Sequence, residues 1–258
     1  EGSCQLFPAS PDKVQAIGAV QQKFTKLELN AAGLPRPVLI RCSQPFKLVR
    51  AGVPHTNSFS YSGALYLRAV AGELEAINLV DLNTYLRGVV PSEVYRDWPL
   101  ETLKTQAVAA RTYAVYHLIF AHRFSTDRIW DVDDTINFQA YTGTSFISEK
   151  TDLAIASTEG QILTFRGNVI QAFYHADSGG QTEDALSVWS LAIPFTVARP
   201  EASEVEVEKS VWERSFSITQ LEQELRAGGY LEAGRSLKSV VIPIVGRSPS
   251  GRVKSMAM

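Results

Sequence analysis

The stretch "YLRGVVPSEVYRDWP", residues 85 to 99, sets the glutamate Glu93 among Val90, Pro91, Val94 and Trp98. Partial desolvation in such company favours the protonated form of a carboxyl group. That is the form a general acid needs in order to donate to a glycosidic oxygen. A solvated carboxylate in a turn is the plainer alternative, and residue types alone leave both open.

A second constellation is "YHADSGGQTE", residues 174 to 183, which packs Tyr174, His175, Asp177, Ser178, Gln181, Thr182 and Glu183 around two glycines. Its "DSGG" resembles the nucleophile loop of chymotrypsin-like proteases. None of His55, His117 or His122 has the flanking sequence such a triad requires, and Gln181 stands where a proline is usual. Two readings remain: a glycine-rich turn whose Ser178 and Thr182 cap backbone groups, or the rim of a sugar-binding groove.

Metal chemistry has weaker support. His117 and His122 are five apart and diverge by about 140° on an ideal helix. Asp131, Asp133 and Asp134 in "WDVDDTINFQAY" lack the pattern of a calcium loop and read as a solvated acidic segment. No metal or other cofactor is expected.

The elements that position these residues follow from periodicity. "KFTKLELNA" (Leu27 and Leu29 on one face), "RPVLIRC", "FKLVRAG", "GALYLRAV" and "LEAINLV" alternate as strands between glycines and prolines; "KVQAIGAVQ" suits strand or helix. "NTYLRGVV" reads as a helix stopped by Pro91. A longer helix follows from Pro99, with Leu103, Ala107, Ala110, Ala114 and Leu118 as its buried stripe and Lys104 and Arg111 beside it. Ser148 caps a short helix ending at Gly160, a hairpin turns at Arg166-Gly167-Asn168, and Ser217 with Gln220 starts a last helix through a capping box. "SLKSVVIPIVGRS" and "GRVKSM" read as closing strands. The fold class is α+β in one mixed domain, with a strand-rich leading region over residues 1–76 packed on residues 77–258.

Composition narrows the function. A chain of 258 residues with 45% hydrophobic and 20% charged residues buries a substantial core, and a net charge of −2 argues against nucleic acid as a partner. No apolar run reaches the roughly 18 residues that span a bilayer, and no signal segment precedes Cys4, so the sequence reads as mature or trimmed. Cys4 and Cys42 could pair in an oxidising compartment or equally stay free, and the reading of Cys42 as a buried strand residue leans to unpaired. Pairing them would close a loop of about 38 residues, worth about 3–4 kcal/mol.

In order along the chain, "NTYLRGVVPSEV", "WPLETLKTQAVAARTYAVYH", "QAYTG", "ASTEGQILTFRGNVIQAFYHADSGGQTED", "VW" and "SPSGRV" resemble the stage II sporulation protein D family over roughly residues 77 to 258. The resemblance implies a lytic transglycosylase acting on peptidoglycan strands stripped of stem peptides, with Glu93 of the "PSE" motif as its single catalytic residue. It also implies that Lys104, Gln106 and Arg111 steady Glu93 or bind sugar groups, and that Tyr174, His175, Ser178 and Thr182 line the opposite wall. Each has a structural alternative: Arg111 as a brace, His175 as a partner for a backbone carbonyl. Some members bind zinc through histidine and cysteine in the loop matching Arg123–Tyr141, which here has no cysteine. The family's enhancer branch implies a second function, a non-catalytic glycan-binding module that stimulates a cell-wall amidase. Either implies export to the periplasm or the cell wall, and a C-terminal continuation beyond "SGRVKSM".

Overall fold

A computed structural model describes residues 3–13, 15–16, 22–24, 26–49, 59–120, 128–135, 137–201, 213–232, 234–237, 240 and 246–255. The chain divides into two compact units, Glu1–Phe173 and Tyr174–Met258. The α+β class holds. The division falls after Phe173, and the leading strands share the first unit with the helices that follow them.

The first unit opens with an antiparallel sheet of five strands in the order β2-β1-β3-β6-β7. These are β1 (Cys4–Pro8), β2 (Gln22–Phe24), β3 (Val38–Cys42), β6 (Ala64–Val70) and β7 (Glu73–Leu79), with β4 (Phe46–Lys47) and β5 (Ser60–Tyr61) as a separate pair. Alternation sends Leu6, Val38, Ile40, Leu65 and Leu67 to one face and Leu39 and Tyr66 to the other, and all seven are buried. Leu27 and Leu29 pack against the first of these clusters, but from a segment outside any strand. Most of "KVQAIGAVQ" lies outside the described residues.

Cys4 faces Cys42 across the β1–β3 pair, and the two form a disulfide. This decides the open question of their pairing against the lean to free thiols. Two strand cysteines that look unrelated in sequence become direct neighbours once antiparallel register is set, with Cα atoms 4.0 Å apart.

Among the described residues the unit also holds three helices and a short hairpin. In α1 (Leu82–Glu93), the Asp81 side chain caps the start by accepting from the Thr84 N–H at 3.0 Å. The Thr84 hydroxyl, and then that main-chain bond, hold the Asp81 carboxyl below the usual carboxylate range. Pro91 does not stop α1, as expected from sequence, but sits inside its last turn. Proline forfeits only the bond to the Arg87 carbonyl, and the turn is kept by Ser92 Oγ donating to Gly88 O at 2.7 Å and Val94 N donating to Val90 O at 3.2 Å.

The second helix, α2 (Leu100–Phe120), buries Leu103, Ala107, Ala110 and Ala114 as its spacing predicts. Leu118 is instead 57% exposed, because past Ala114 the stripe meets an open cavity that Leu118 lines. Ser148 caps α3 (Glu149–Ser157), as its position before the apolar run predicts. β8 (Thr164–Phe165) and β9 (Asn168–Val169) form the expected hairpin, turning on Arg166 and Gly167 with φ of 51° and 81°.

The second unit contains α4 (Ala185–Trp189) and α5 (Ile218–Ala227), the latter opened by the predicted Ser217–Gln220 capping box. Of the expected closing strands, much of the first lies outside the described residues, and the second makes a single bridge, Arg247 to Val253.

Candidate active site

Glu93 ends α1, and the segment 139–145 holds it there. Gly88 presents no side chain to that segment: a Cβ at this position would lie 2.4 Å from Gly143 O and 2.6 Å from the Tyr141 ring. The close approach permits a ladder of side-chain contacts. Tyr85 Oη donates to Gln139 Oε1 at 3.2 Å, Ser92 Oγ meets Thr142 Oγ1 at 2.7 Å, and Glu93 Oε1 accepts from the Ala140 N–H at 2.7 Å. On its other side the segment is tied to the strands. Tyr141 Oη donates to Asn78 Oδ1 at 2.7 Å, and Thr144 N donates to Ser60 O at 2.6 Å.

Glu93 is half-buried, and its Oε2 has no hydrogen-bond partner among the described residues. One carboxyl oxygen is thus fixed by a main-chain donor that cannot titrate, and the other is left for a ligand or solvent.

A polar and aromatic face of α2 runs nearby. Tyr113 is buried, and its ring packs 4.4 Å from His117, which meets Phe138 at 4.9 Å. Phe138 lies two residues before Ala140. Burial pushes the Tyr113 phenol up; its bond to Gln171 opposes the shift, and the Asp133 and Glu93 carboxylates add to it. Burial, then the Arg128 charge, push His117 below the usual imidazole value.

The remaining residues singled out from sequence are spread out. No hydrogen bond or ion pair among the described residues joins Glu93 to Lys104, Gln106 or Arg111. Lys104 pairs with Glu101 at 2.7 Å. Gln106 has a buried Nε2 without a partner in the described residues. Arg111, only 2% exposed, donates to Ile155 O at 3.0 Å and to Thr158 Oγ1 and Gln161 O at 3.3 Å, which ties it to the end of α3. Burial holds its guanidinium below the usual arginine range.

In the second unit, Tyr174 and Thr182 are half-buried, His175 is exposed and Ser178 is buried. Ser178 donates to Glu201, Thr182 Oγ1 accepts from Arg199 N at 2.9 Å, and Ser248 and Ser250 each donate to Glu183 at 2.5 Å. Burial raises the Glu183 carboxyl, but the two serines, the Asp184 N–H and the Arg252 charge outweigh it and leave it below the usual range.

A cavity of about 1000 Å³ in the first unit is lined by Tyr61, Asn78, Tyr85, Trp130, Asp133 and Tyr141, and Glu93 is not part of its wall. Its Tyr85 and Tyr141 also belong to the Glu93 support. Among the described residues no group of three His, Cys, Asp or Glu side chains is placed to hold a metal ion. His122 lies outside the described residues. No helix among the described residues is long and apolar enough to cross a membrane.

Sequence reasoning missed Ala140, Thr142 and Tyr113. A glycine inside a helical pattern, Gly88, was the available signal that a backbone approaches α1 closely.

The first unit thus supports the carboxyl of one glutamate at a helix end from two sides, on an α+β frame. The family described as "Stage II sporulation protein" matches residues 70–165, a span containing Glu93, Lys104, Gln106, Arg111 and Ala140 and ending before the glycine-rich loop. Stage II sporulation protein D of Bacillus amyloliquefaciens is 33% identical over 190 residues, covering 69% of this chain and 53% of that protein. The amidase enhancer of Bacillus subtilis is 36% identical over 137 residues, covering 53% of this chain and 17% of that protein. An uncharacterized protein of Brachyspira hyodysenteriae is 34% identical over 139 residues, covering 54% of this chain and 37% of that protein. The chain thus spans about half or less of the length of these relatives. With these matches the resemblance to the stage II sporulation protein D family holds, carried by residues 70–165.

Proposed function

We propose that this protein is a peptidoglycan lytic transglycosylase with Glu93 as its one catalytic group. The observation that carries the reading is the Glu93 carboxyl, half-buried, with Oε1 fixed by the Ala140 N–H and Oε2 without a described partner. Protonated Glu93 donates to the oxygen joining N-acetylmuramic acid to N-acetylglucosamine as the bond from that oxygen to muramic C1 breaks. The muramic C6 hydroxyl then bonds to C1 and returns its proton to Glu93, closing a 1,6-anhydro ring. No water is consumed, so the second carboxylate of ordinary glycosidases has no task. Lys104, Gln106, Tyr174, His175, Ser178 and Thr182 are proposed to bind the strand; Arg111, committed to α3, supports the helix that carries Lys104 and Gln106. The Cys4–Cys42 disulfide supports a working place outside the reducing cytosol, in the periplasm or at the cell wall.

The test is digestion of purified stem-free glycan strands, with 1,6-anhydro ends read by mass spectrometry. We expect ends from the wild type and none from Glu93→Gln. Absence of ends from the wild type, or their persistence in the variant, refutes the assignment. The similarity to an amidase enhancer favours a second reading, a glycan-binding module that stimulates a cell-wall amidase. Amidase stimulation that survives Glu93→Gln supports that reading.

A further inference from the structure

The connection from α1 to α2 places two exposed rings directly after Glu93. Tyr95 is 75% exposed and Trp98 36% exposed, with ring centroids 5.9 Å apart. Phe146, 41% exposed, comes from the chain just after Thr142, and the Arg96 guanidinium lies over its ring at 5.9 Å. The connection is itself anchored: Trp98 N donates to Tyr95 O at 3.1 Å, and Lys150 Nζ donates to Asp97 O at 3.0 Å. The rings therefore stand on the same two chain segments whose contacts at Ser92–Thr142 and Glu93–Ala140 fix the carboxyl.

Single exposed aromatics are ordinary on protein surfaces. Two in mutual contact, anchored through their own backbone and with an arginine between them in the chain already held over a third ring, form a built surface. Val94, between Glu93 and Tyr95, packs into the core beneath while its aromatic neighbour stays out. Rings of this kind offer a flat apolar face with a polar edge, which suits the CH face of a pyranose. Arg96 adds a planar donor fork suited to a carboxylate, and Lys150, whose ammonium donates to the Asp97 main-chain carbonyl, adds a second positive charge.

We propose that Tyr95, Trp98 and Arg96 form a saccharide-binding shelf beside Glu93, the rings stacking on a pyranose and Arg96 pairing with the lactyl carboxylate of an N-acetylmuramic acid that bears no stem peptide. An amide-linked stem consumes that carboxylate, so the shelf selects stripped glycan by charge. The proposal rests on the reading of Glu93 as a glycan-cleaving group, and it names the substrate feature recognised beside it.

Binding is measured calorimetrically in the Glu93→Gln background, so that no turnover intervenes. The two probes are stem-free peptidoglycan oligosaccharides and chito-oligosaccharides of equal length, which lack lactyl groups. Trp98→Ala and Tyr95→Ala are expected to weaken both probes by about tenfold each, with Trp98→Phe recovering most of the loss. Arg96→Gln is expected to weaken the stem-free probe several-fold and leave the chito-oligosaccharide unchanged. Unchanged affinity in the ring variants, an equal loss of both probes in Arg96→Gln, or no binding of either probe by the parent each overturns the shelf. The wild type is assayed separately for 1,6-anhydro ends. Ends formed with an unaltered KM in the ring variants sink the shelf alone, whereas no ends at all sink the lytic reading and leave the titration to judge the shelf.

Discussion

Replacing Gly88 by alanine tests the claim that close backbone approach positions Glu93. In an unobstructed helix interior this change stabilises by up to about 1 kcal/mol, because alanine restricts the unfolded chain. Here the new methyl meets Gly143 O at 2.4 Å and Tyr141 ring carbons at 2.6 and 2.8 Å. Neither neighbour yields easily. Gly143 is itself pressed against Ser60, where a Cβ would stand 2.1 Å from the carbonyl oxygen, and Tyr141 is held by Asn78. Overpacking of this kind costs about 1–3 kcal/mol, enough to reverse the sign of the propensity gain. A net loss near 1 kcal/mol corresponds to a fall in Tm of about 2–4 °C for a unit of this size. Differential scanning calorimetry measures it. The 139–145 segment must also move off α1, which lengthens the Ala140–Glu93 bond, so production of 1,6-anhydro ends is expected to fall more than stability alone explains. A Gly88→Ala protein as stable as the wild type, with full activity, refutes the positioning argument.

Arg111→Leu is expected to destabilise by about 3 kcal/mol in urea titration, since it strands the acceptors at the end of α3; a variant of wild-type stability with a raised KM would instead make Arg111 a substrate residue. The double variant Cys4→Ala/Cys42→Ala, closing no loop across a separation of 38 residues, is expected to lose about 3–4 kcal/mol, and an unchanged urea midpoint would refute this. Glu183 has a folded value below its unfolded one, so its contribution is present above the ordinary carboxylate range and is lost as pH falls through the folded value. Acid titration of stability should therefore be shallower in Glu183→Gln than in the wild type, and superimposable curves would exclude the serine-held carboxylate.

Strands β3, β6 and β7 and the caps of α3 and α5 are legible in the sequence because each depends on local chemistry, whereas β1, five residues of mixed type, carries no such signal. Alternation marks β3 and β6, and Ser148 and Ser217 sit directly before their apolar runs. What escaped reading depends on register and tertiary approach. Cys4 and Cys42 pair only because β1 and β3 align antiparallel with those residues opposite. Pro91 continues α1 because the missing donor falls in a last turn that Ser92 and Val94 complete. Glu93 is visible as a carboxylate in apolar company, but its fixed oxygen comes from a backbone N–H of Ala140, 47 residues away, which no side-chain pattern can announce.

That dependence on the backbone bears on why one glutamate could serve both proton transfers. A group that gives a proton and takes it back must keep its orientation while its charge changes. A histidine or a second carboxylate as its partner could exchange protons with it. The Ala140 amide does neither, and it is held between α1 and the strands by contacts at Tyr141, Thr142 and Thr144. The glycines at 88 and 143 matter because they let three backbones meet at van der Waals distance, which leaves the amide little freedom to turn away. The fixed orientation of the Glu93 carboxyl thus resides less in Glu93 than in the residues without side chains that surround it.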